Sequence, residues 1–257
     1  RRTLKFTKWP QLYYAKIRGF SRTEAKEQSF TLAMALPHEL LHCFLQLNDK
    51  AKLLEDQQKE LRPDLVEHLQ QIAVQFHIQD PLLLGLWCDG VPFNSDRSHT
   101  LEVLSMNIVG QGGLCLPLTC FPKAFQAKGS TWDDIYEFIR WSFRCCLTGL
   151  MPSKRHDGTP FGKTDVWRKK RAMKPIGIRA VLGELRGDWS MFKETMRLPG
   201  WQDKGFICWK CNISLAELRD VSSTASWRPR FVQFFQTEAF SYLRKAPPTL
   251  LLRRLPS

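Results

Sequence analysis

The sequence predicts a mixed α/β fold, with a helical N-terminal segment (residues 1–80) followed by a sheet-containing core (residues 81–200). Two observations predict this. Apolar residues recur at helical spacing as far as about residue 78. From residue 82 onward, short apolar runs bounded by turn residues give the order strand, strand, strand, helix, strand. A last segment, residues 201–257, carries a cysteine pair and an aromatic-rich helical stretch.

The composition indicates a folded, strongly basic protein. Of its 257 residues, 43% are hydrophobic, which is enough for a real core, and the net charge of +13 favours a polyanionic partner such as DNA. No apolar run is long enough to predict a membrane span, no secretory signal pattern opens the chain, and no small-molecule cofactor motif is evident. Because the chain starts without methionine, we expect a fragment of a longer protein.

The clearest N-terminal helix is the stretch RPDLVEHLQQIAVQF. Pro63 suits a first-turn position, where its missing N–H costs nothing. Leu65, Leu69, Ile72 and Phe76 then fall on one face at helical spacing. The whole region from residue 9 to about residue 78 is therefore predicted to be helical.

Strand signals begin with LLLGLWCDGVPF, which predicts a buried strand ending in a turn at Asp89–Gly90. LEVLSMNIV and LCLPLTCF predict two more strands, and Pro117 marks the latter as an edge or bulged strand. TWDDIYEFIRWSFRCCL predicts a helix opened by a capping box of Thr131 and Asp134. IGIRAVLGELRGDW predicts a fourth strand that ends at Asp188.

In this order of strands, two carboxylates stand at predicted strand ends: Asp89 ends the first strand and Asp188 ends the fourth. In an RNase H-like sheet those strands are neighbours, so both acids could hold a pair of Mg²⁺ ions for phosphodiester chemistry. A third acid would complete the site, and Glu217 and Glu238 are the available candidates. The alternative is that both aspartates are ordinary polar strand ends beside glycine.

The stretches WCDGVPFNSDRS, LRGDWSMFKE and CWKC, set in this order of strands and helix, resemble the catalytic region of CACTA-type DNA transposases. The chain looks still closer to an uncharacterised multicopy family of algal genomes that shares DGVP, TWDDI, RHDG and RGDW. The resemblance covers about residues 82–215. It implies an RNase H-like nuclease in which Asp89 and Asp188 are metal ligands and Cys208 and Cys211 are half of a zinc site.

The chain also departs from the transposase pattern. No third acid is identified, and no histidine-containing motif follows near the C-terminus. The expected function is therefore that of a transposase-derived DNA-binding protein with metal-dependent strand cleavage and transfer. A catalytically inactive, zinc-stabilised nucleic-acid-binding module is the alternative.

Cys208 and Cys211 have the C-x-x-C spacing that supplies half of a tetrahedral Zn²⁺ site. The other ligands would come from upstream residues such as His156 or Cys145, or from sequence beyond this chain. Two unligated thiols are the alternative. The remaining cysteines lie in apolar runs, as expected of buried reduced thiols. Reduced thiols favour an intracellular protein, and a DNA partner would make a nuclear location the expectation.

The segment from residue 152 to residue 175 concentrates basic charge, with eight Lys or Arg against two Asp. Such a segment is typical of a loop that contacts nucleic-acid phosphates, and Trp167 could stack on a base. A solvated loop or a nuclear-localisation run are the alternatives. The predicted phosphate-binding residues are Lys154, Arg155, Lys163, Arg168, Lys169, Lys170 and Arg171.

The stretch His38–His42 reads H-E-L-L-H, the pattern in which two histidines bind zinc and a glutamate acts as base in metalloproteases. The metzincin continuation is absent, because Leu45 and Asn48 stand where its glycine and third histidine belong. Glu60 or Glu67 could supply a third ligand instead. We favour an ordinary amphipathic helix over a zinc protease here, because no strand pattern precedes the motif.

Overall fold

The computed structural model describes residues 9–61, 63–96, 98–112, 114–187 and 189–194, together with a few isolated residues between 214 and 224. The chain divides into two compact units, residues 1–186 and residues 187–257. Asp188, Cys208, Cys211 and Glu238 lie outside the described residues. None of the helices in the described part of the chain is long and apolar enough to cross a membrane.

The described elements include both strands and helices, so the fold is mixed α/β, as predicted. In chain order they are β1 (Tyr13–Ser21), β2 (Lys26–Met34), α1 (Pro37–Leu45), α2 (Lys50–Glu60), α3 (Pro63–Phe76), β3 (Leu82–Pro92), β4 (Thr100–Ile108), β5 (Leu116–Pro122), α4 (Ser130–Thr148), α5 (Val166–Arg171), β6 (Ala180–Gly187) and α6 (Trp189–Glu194).

The main sheet has the strand order β5-β4-β3-β6. Strands β3, β4 and β5 pair antiparallel. The Leu82 N–H, at the start of β3, donates to the Arg179 carbonyl, immediately before β6, over 2.9 Å. Because both strands start at this hydrogen bond, β6 runs in the same direction as β3 and the sheet is mixed.

The two faces of the sheet differ in burial. Leu84, Leu86 and Cys88 of β3 and Leu104 and Met106 of β4 form a face that is fully buried. Ring contacts between Phe121 of β5 and Trp132 of α4, 5.4 Å apart, place α4 against this side. On the opposite face of β3, the Trp87 side chain remains 40% exposed. On that face Leu83 and Ser105 are also buried, at 0% and 5% exposure, so it is open only in part, around Trp87.

The predicted all-helical N-terminal segment is wrong for residues 13–34, which form the antiparallel β1–β2 hairpin. Along β1, buried Tyr13, Ala15 and Ile17 alternate with exposed neighbours, which is the two-residue period of a strand. The hairpin also contacts the sheet, since the Ala35 N–H donates to the Leu118 carbonyl over 2.7 Å. Residues 1–80 are thus not a separate helical domain but part of the first compact unit.

Two further local predictions need correction. β3 continues through Asp89 and Gly90 to Pro92 without the predicted turn, because Asp89 pairs with Val103 and Gly90 with Glu102. At α4 the predicted capping box is absent, since the N-cap residue is Gly129 and no side chain caps the helix.

Thr131 and Asp134 instead bind β1. The Asp134 carboxylate accepts hydrogen bonds from the Arg18 backbone and guanidinium, and the Thr131 hydroxyl donates to the Arg18 carbonyl over 2.7 Å. Tertiary contacts therefore use the side chains that a local capping motif would need.

Other element predictions are confirmed. α3 starts at Pro63, and its apolar stripe buries Ile72. β5 lies at the sheet edge, and its pairing with β4 shifts register between Leu104 and Ser105, opposite Pro117. The edge or bulged strand predicted from Pro117 is therefore observed.

Gln57 of α2 joins the helical region to the sheet. Its buried side-chain amide donates to the Leu83 and Val109 carbonyls over 2.9 and 2.7 Å, and its Oε1 accepts from the Leu83 N–H over 2.8 Å. These hydrogen bonds satisfy the Leu83 N–H and the Val109 carbonyl at the ends of β3 and β4.

Candidate functional site

Asp89 lies on the partly open face of the sheet. It is half-buried, and the strand alternation puts it on the same side as Trp87, two residues earlier. Its carboxylate makes no hydrogen bond or ion pair with any residue that the structure describes. A partly buried carboxylate without a partner suits Mg²⁺, which takes oxygen ligands and needs few of them from protein.

The end of β6 reaches the same level of the sheet as Asp89. β3 and β6 start side by side, where Leu82 is hydrogen-bonded to Arg179. Asp89 is seven residues from the start of β3 and Gly187 is seven residues from the start of β6, so the two lie at the same distance along parallel strands. Asp188 directly follows Gly187 in the sequence, but its position is outside the described residues. No group of three His, Cys, Asp or Glu side chains able to hold a metal occurs within the described ranges.

Two acids were proposed from the sequence to complete the site, Glu217 and Glu238. Glu217 belongs to the second compact unit, where its carboxylate accepts hydrogen bonds from the Ser214 N–H and hydroxyl over 3.0 and 2.8 Å. Glu238 lies outside the described residues. An acid that the sequence reasoning missed, Glu184 of the edge strand β6, lines a cleft together with Trp87.

This cleft has a volume of about 660 Å³, within the range of about 300–1,000 Å³ usual for ligand sites. Its walls come from α2, α3, β3, β4, β6 and the turn after β4, and Glu60 of α2 adds a second carboxylate to them. The side chains that give it its chemistry are Trp87, Asn107, Glu184 and Arg186, with Leu65 and Leu114 as apolar lining. Alternation along β3 from Asp89 is a signal that could have identified Trp87 from the sequence.

The basic segment is only partly available to a ligand. Arg168 of α5, 4% exposed, donates from Nε to Glu39 Oε1 over 2.6 Å and from Nη1 to Asp165 Oδ1 over 2.9 Å. Arg155 binds Asp165 Oδ2 over 2.8 Å and the Tyr14 carbonyl over 2.6 Å. Both were predicted phosphate contacts, and both guanidinium groups are paired with carboxylates inside the protein.

The other predicted phosphate contacts face solvent or lie near it. Arg171 is half-buried, and its guanidinium stacks 4.1 Å over the Trp167 ring, so that Trp167 already has a partner for the base stacking predicted for it. Exposed side chains are those of Lys154, Lys163, Lys169 and Lys170.

The H-E-L-L-H stretch forms α1, and each of its polar residues has a contact inside the protein. Glu39, 1% exposed, pairs with Arg168, and His42 Nδ1 donates to the Ile176 carbonyl over 2.9 Å. His38 is fully buried, with Nδ1 2.7 Å from the Ser142 hydroxyl of α4. These contacts explain the stretch as a buried polar junction between α1, α4 and α5.

Burial also sets the protonation of this junction. Desolvation, then the charges of Arg168 and His42, lower the pKa of His38 to about 3, so its ring is neutral at physiological pH. Desolvation raises the pKa of Glu39, and the hydrogen bonds and charge of Arg168 oppose that rise. The His38–Ser142 pair resembles a nucleophile and base, but both side chains have 0% exposure and no substrate could reach them.

The upstream residues proposed as partners for the C-x-x-C motif have other contacts. His156 Nδ1 lies 2.5 Å from the Tyr13 hydroxyl. Cys145 is buried in α4, and desolvation raises the pKa of its thiol to about 12, which disfavours the thiolate that zinc requires. Cys208 and Cys211 themselves lie outside the described residues.

No protein-family model, curated protein or solved structure matches this chain.

Proposed function

We propose that this chain is a transposase-derived DNA-binding protein in which Asp89 and Asp188 hold Mg²⁺ for DNA strand cleavage and transfer. The observation that carries the proposal is the strand order β5-β4-β3-β6, with β6 parallel to β3. In this order β3, which carries Asp89, is the neighbour of β6, which Asp188 directly follows in the sequence. Mg²⁺ bound there would activate an attacking oxygen and stabilise a leaving one.

The contribution of Asp89 follows from its surroundings. It is half-buried on a strand with continuous pairing to β4, so its backbone is held rigidly. Its carboxylate has no partner among the described residues, so its oxygens are available to a cation. A rigid, unpartnered carboxylate on an open sheet face is what a metal-binding role requires.

DNA binding rests on the exposed lysines of the basic segment. Lys163, Lys169 and Lys170 are exposed, while the inward-facing Arg155 and Arg168 hold the segment to the protein. Fixed lysines on a folded segment would contact phosphates without reading sequence. The net charge of +13 supports association with a polyanion.

The binding proposal is tested with the triple variant Lys163→Ala/Lys169→Ala/Lys170→Ala in duplex-DNA titrations over a range of salt concentrations. Each lost phosphate contact should lower the slope of log K against log salt by about 0.9. The matched control removes three exposed lysines of α2, Lys50, Lys52 and Lys59, and should leave the slope unchanged. Equal effects of both triples would mean that the basic segment has no special role.

The cleavage proposal is tested with Asp89→Asn in a Mg²⁺-dependent nicking assay on supercoiled DNA. The variant should lose cleavage and keep duplex binding, because only the metal ligand is removed. The control Asp80→Asn makes the same change at an exposed aspartate just before the other end of β3, where asparagine tolerates the positive φ of 44°. A wild-type protein that binds DNA but never cleaves it would establish the inactive binding module instead.

A further inference from the structure

The cleft beside Asp89 presents a defined set of chemical groups. Trp87, 40% exposed, supplies an aromatic surface, and it precedes Asp89 by two strand residues, about 7 Å. Arg186, about half exposed, lies at the end of β6 and binds Glu184 Oε1 through Nε over 2.7 Å. The cleft therefore joins an aromatic wall, a cation and a carboxylate next to the proposed metal ligand.

Two hydrogen-bond acceptors of this cleft have no partner. Glu184 Oε2 and Asn107 Oδ1 are both buried from solvent, and neither accepts a hydrogen bond from a described residue. Leaving a buried polar atom unsatisfied is unfavourable, and native proteins leave few such atoms. Both side chains are only partly buried, unlike His38 and Ser142, so rotation of each side chain would bring its acceptor to the cleft surface. There a ligand carrying N–H donors would satisfy it.

Gly85 determines where Asn107 lies. The two residues are paired across β3 and β4, and a Cβ atom at position 85 would come within 2.3 Å of Asn107 Oδ1. The absence of a side chain at position 85 lets the Asn107 amide lie flat over the strand. The Asn107 amide oxygen thus packs directly against Gly85, on the face of β3 that carries Trp87.

We propose that this cleft binds one unpaired nucleobase of DNA, with guanine preferred. The inference rests on the proposed DNA-binding function. Trp87 would stack on the base, because stacking on aromatic side chains is the usual way in which unpaired bases are held. Glu184 and Asn107 would accept from the base edge, and Arg186 is positioned for the adjoining phosphate.

The preference among bases follows from donors and acceptors. Guanine carries three N–H protons on neighbouring atoms of its Watson–Crick edge, whereas thymine carries one N–H between two carbonyl oxygens. Those oxygens would face the carboxylate and amide oxygens of the cleft without a proton between them. In a paired base the same edge is already hydrogen-bonded, so only an unpaired base can use the site.

The experiment compares three DNA duplexes of equal length, one fully paired, one with a single unpaired dG and one with a single unpaired dT, in fluorescence-anisotropy titrations. We expect the dG duplex to bind about ten-fold more tightly than the other two. Trp87→Ala should remove this difference without changing the affinity for paired DNA. Trp9→Ala, which alters a tryptophan of similar exposure at 36%, should preserve the difference.

Glu184→Gln is the second variant, because it keeps the side-chain shape and replaces one acceptor by an amide. It should reduce the preference for dG over dT several-fold. Equal affinity of the wild type for all three duplexes would overturn the base site while leaving DNA binding established. Free dGMP that competes as strongly as the unpaired-dG duplex would also overturn it, in favour of a mononucleotide site. If no duplex binds, the proposed function fails and the base site fails with it.

Discussion

The buried ion pair between Glu39 and Arg168 gives the most direct test of the structure, through the substitution Arg168→Met. Arg168 donates to both Glu39 carboxylate oxygens over 2.6 and 2.9 Å, to Asp165 over 2.9 Å and to the Gln11 carbonyl over 2.6 Å. Methionine preserves most of the side-chain volume but none of these hydrogen bonds. Glu39, 1% exposed, would be left as a buried charge without its partner.

Removing one member of a buried ion pair destabilises a protein by about 3–5 kcal/mol. Asp165 contributes little to this loss, because Arg155 still binds it over 2.8 Å. Burial already raises the pKa of Glu39, and without Arg168 that pKa would rise further. Above pH 4.5 the Glu39 carboxyl of the unfolded chain releases its proton, whereas that of the folded variant keeps it. The destabilisation should therefore grow as the pH rises from 5 to 8 and shrink toward acid.

The assay is equilibrium urea unfolding followed by circular dichroism, at several pH values. The control is the double variant Glu39→Gln/Arg168→Met, which removes both charges and should lose less free energy of unfolding than Arg168→Met alone. A loss below about 1 kcal/mol for Arg168→Met, typical of exposed ion pairs, would refute the buried junction. A double variant less stable than the single one would refute the electrostatic explanation.

Three other predictions follow from buried groups. The pKa of His38 is lowered to about 3 in the folded protein, against 6.5 in the unfolded chain, so its contribution to stability is complete above pH 6.5 and declines as the pH falls toward 3. In urea titrations, His38→Gln should therefore reduce the slope of stability against pH in this range by up to about 1.4 kcal/mol per pH unit. Gln57→Met should cost about 2–4 kcal/mol in urea unfolding, because it leaves the Leu83 N–H and the Val109 carbonyl without hydrogen bonds. Gly183→Ala should lower the free energy of unfolding by about 1–3 kcal/mol, since its Cβ would lie 2.1 Å from a Leu83 methyl.

Each of these variants has a matched control. His77→Asn removes an exposed histidine, Gln58→Met alters the exposed neighbour of Gln57, and Gly112→Ala adds a Cβ with no atom within 4 Å. All three controls should stay within about 0.5 kcal/mol of wild type. A control as damaging as its partner variant would contradict the contact on which that prediction depends.

Part of the candidate site could be predicted from the sequence because it depends on local pattern. The apolar run before Asp89 predicted a strand, and the run before Asp188 predicted another. The prediction of Arg155 and Arg168 as phosphate contacts did not anticipate that both pair with carboxylates inside the protein. A basic residue has the same local signal whether it faces water or a buried carboxylate, and Glu39 is 129 residues from Arg168.

The sequence by itself determined the α/β class, the positions of α3, β3, β4, β5 and α4, and the excess of positive charge. These follow from the period of apolar residues and from composition, which need no knowledge of distant contacts. Only the tertiary structure decided that residues 13–34 form a hairpin against β5. It also decided that the H-E-L-L-H helix is a buried polar junction, and that Trp87, Asn107 and Glu184 share one cleft. The physical reason is that burial and hydrogen-bond partners come from side chains far apart in the chain, which the fold alone brings together.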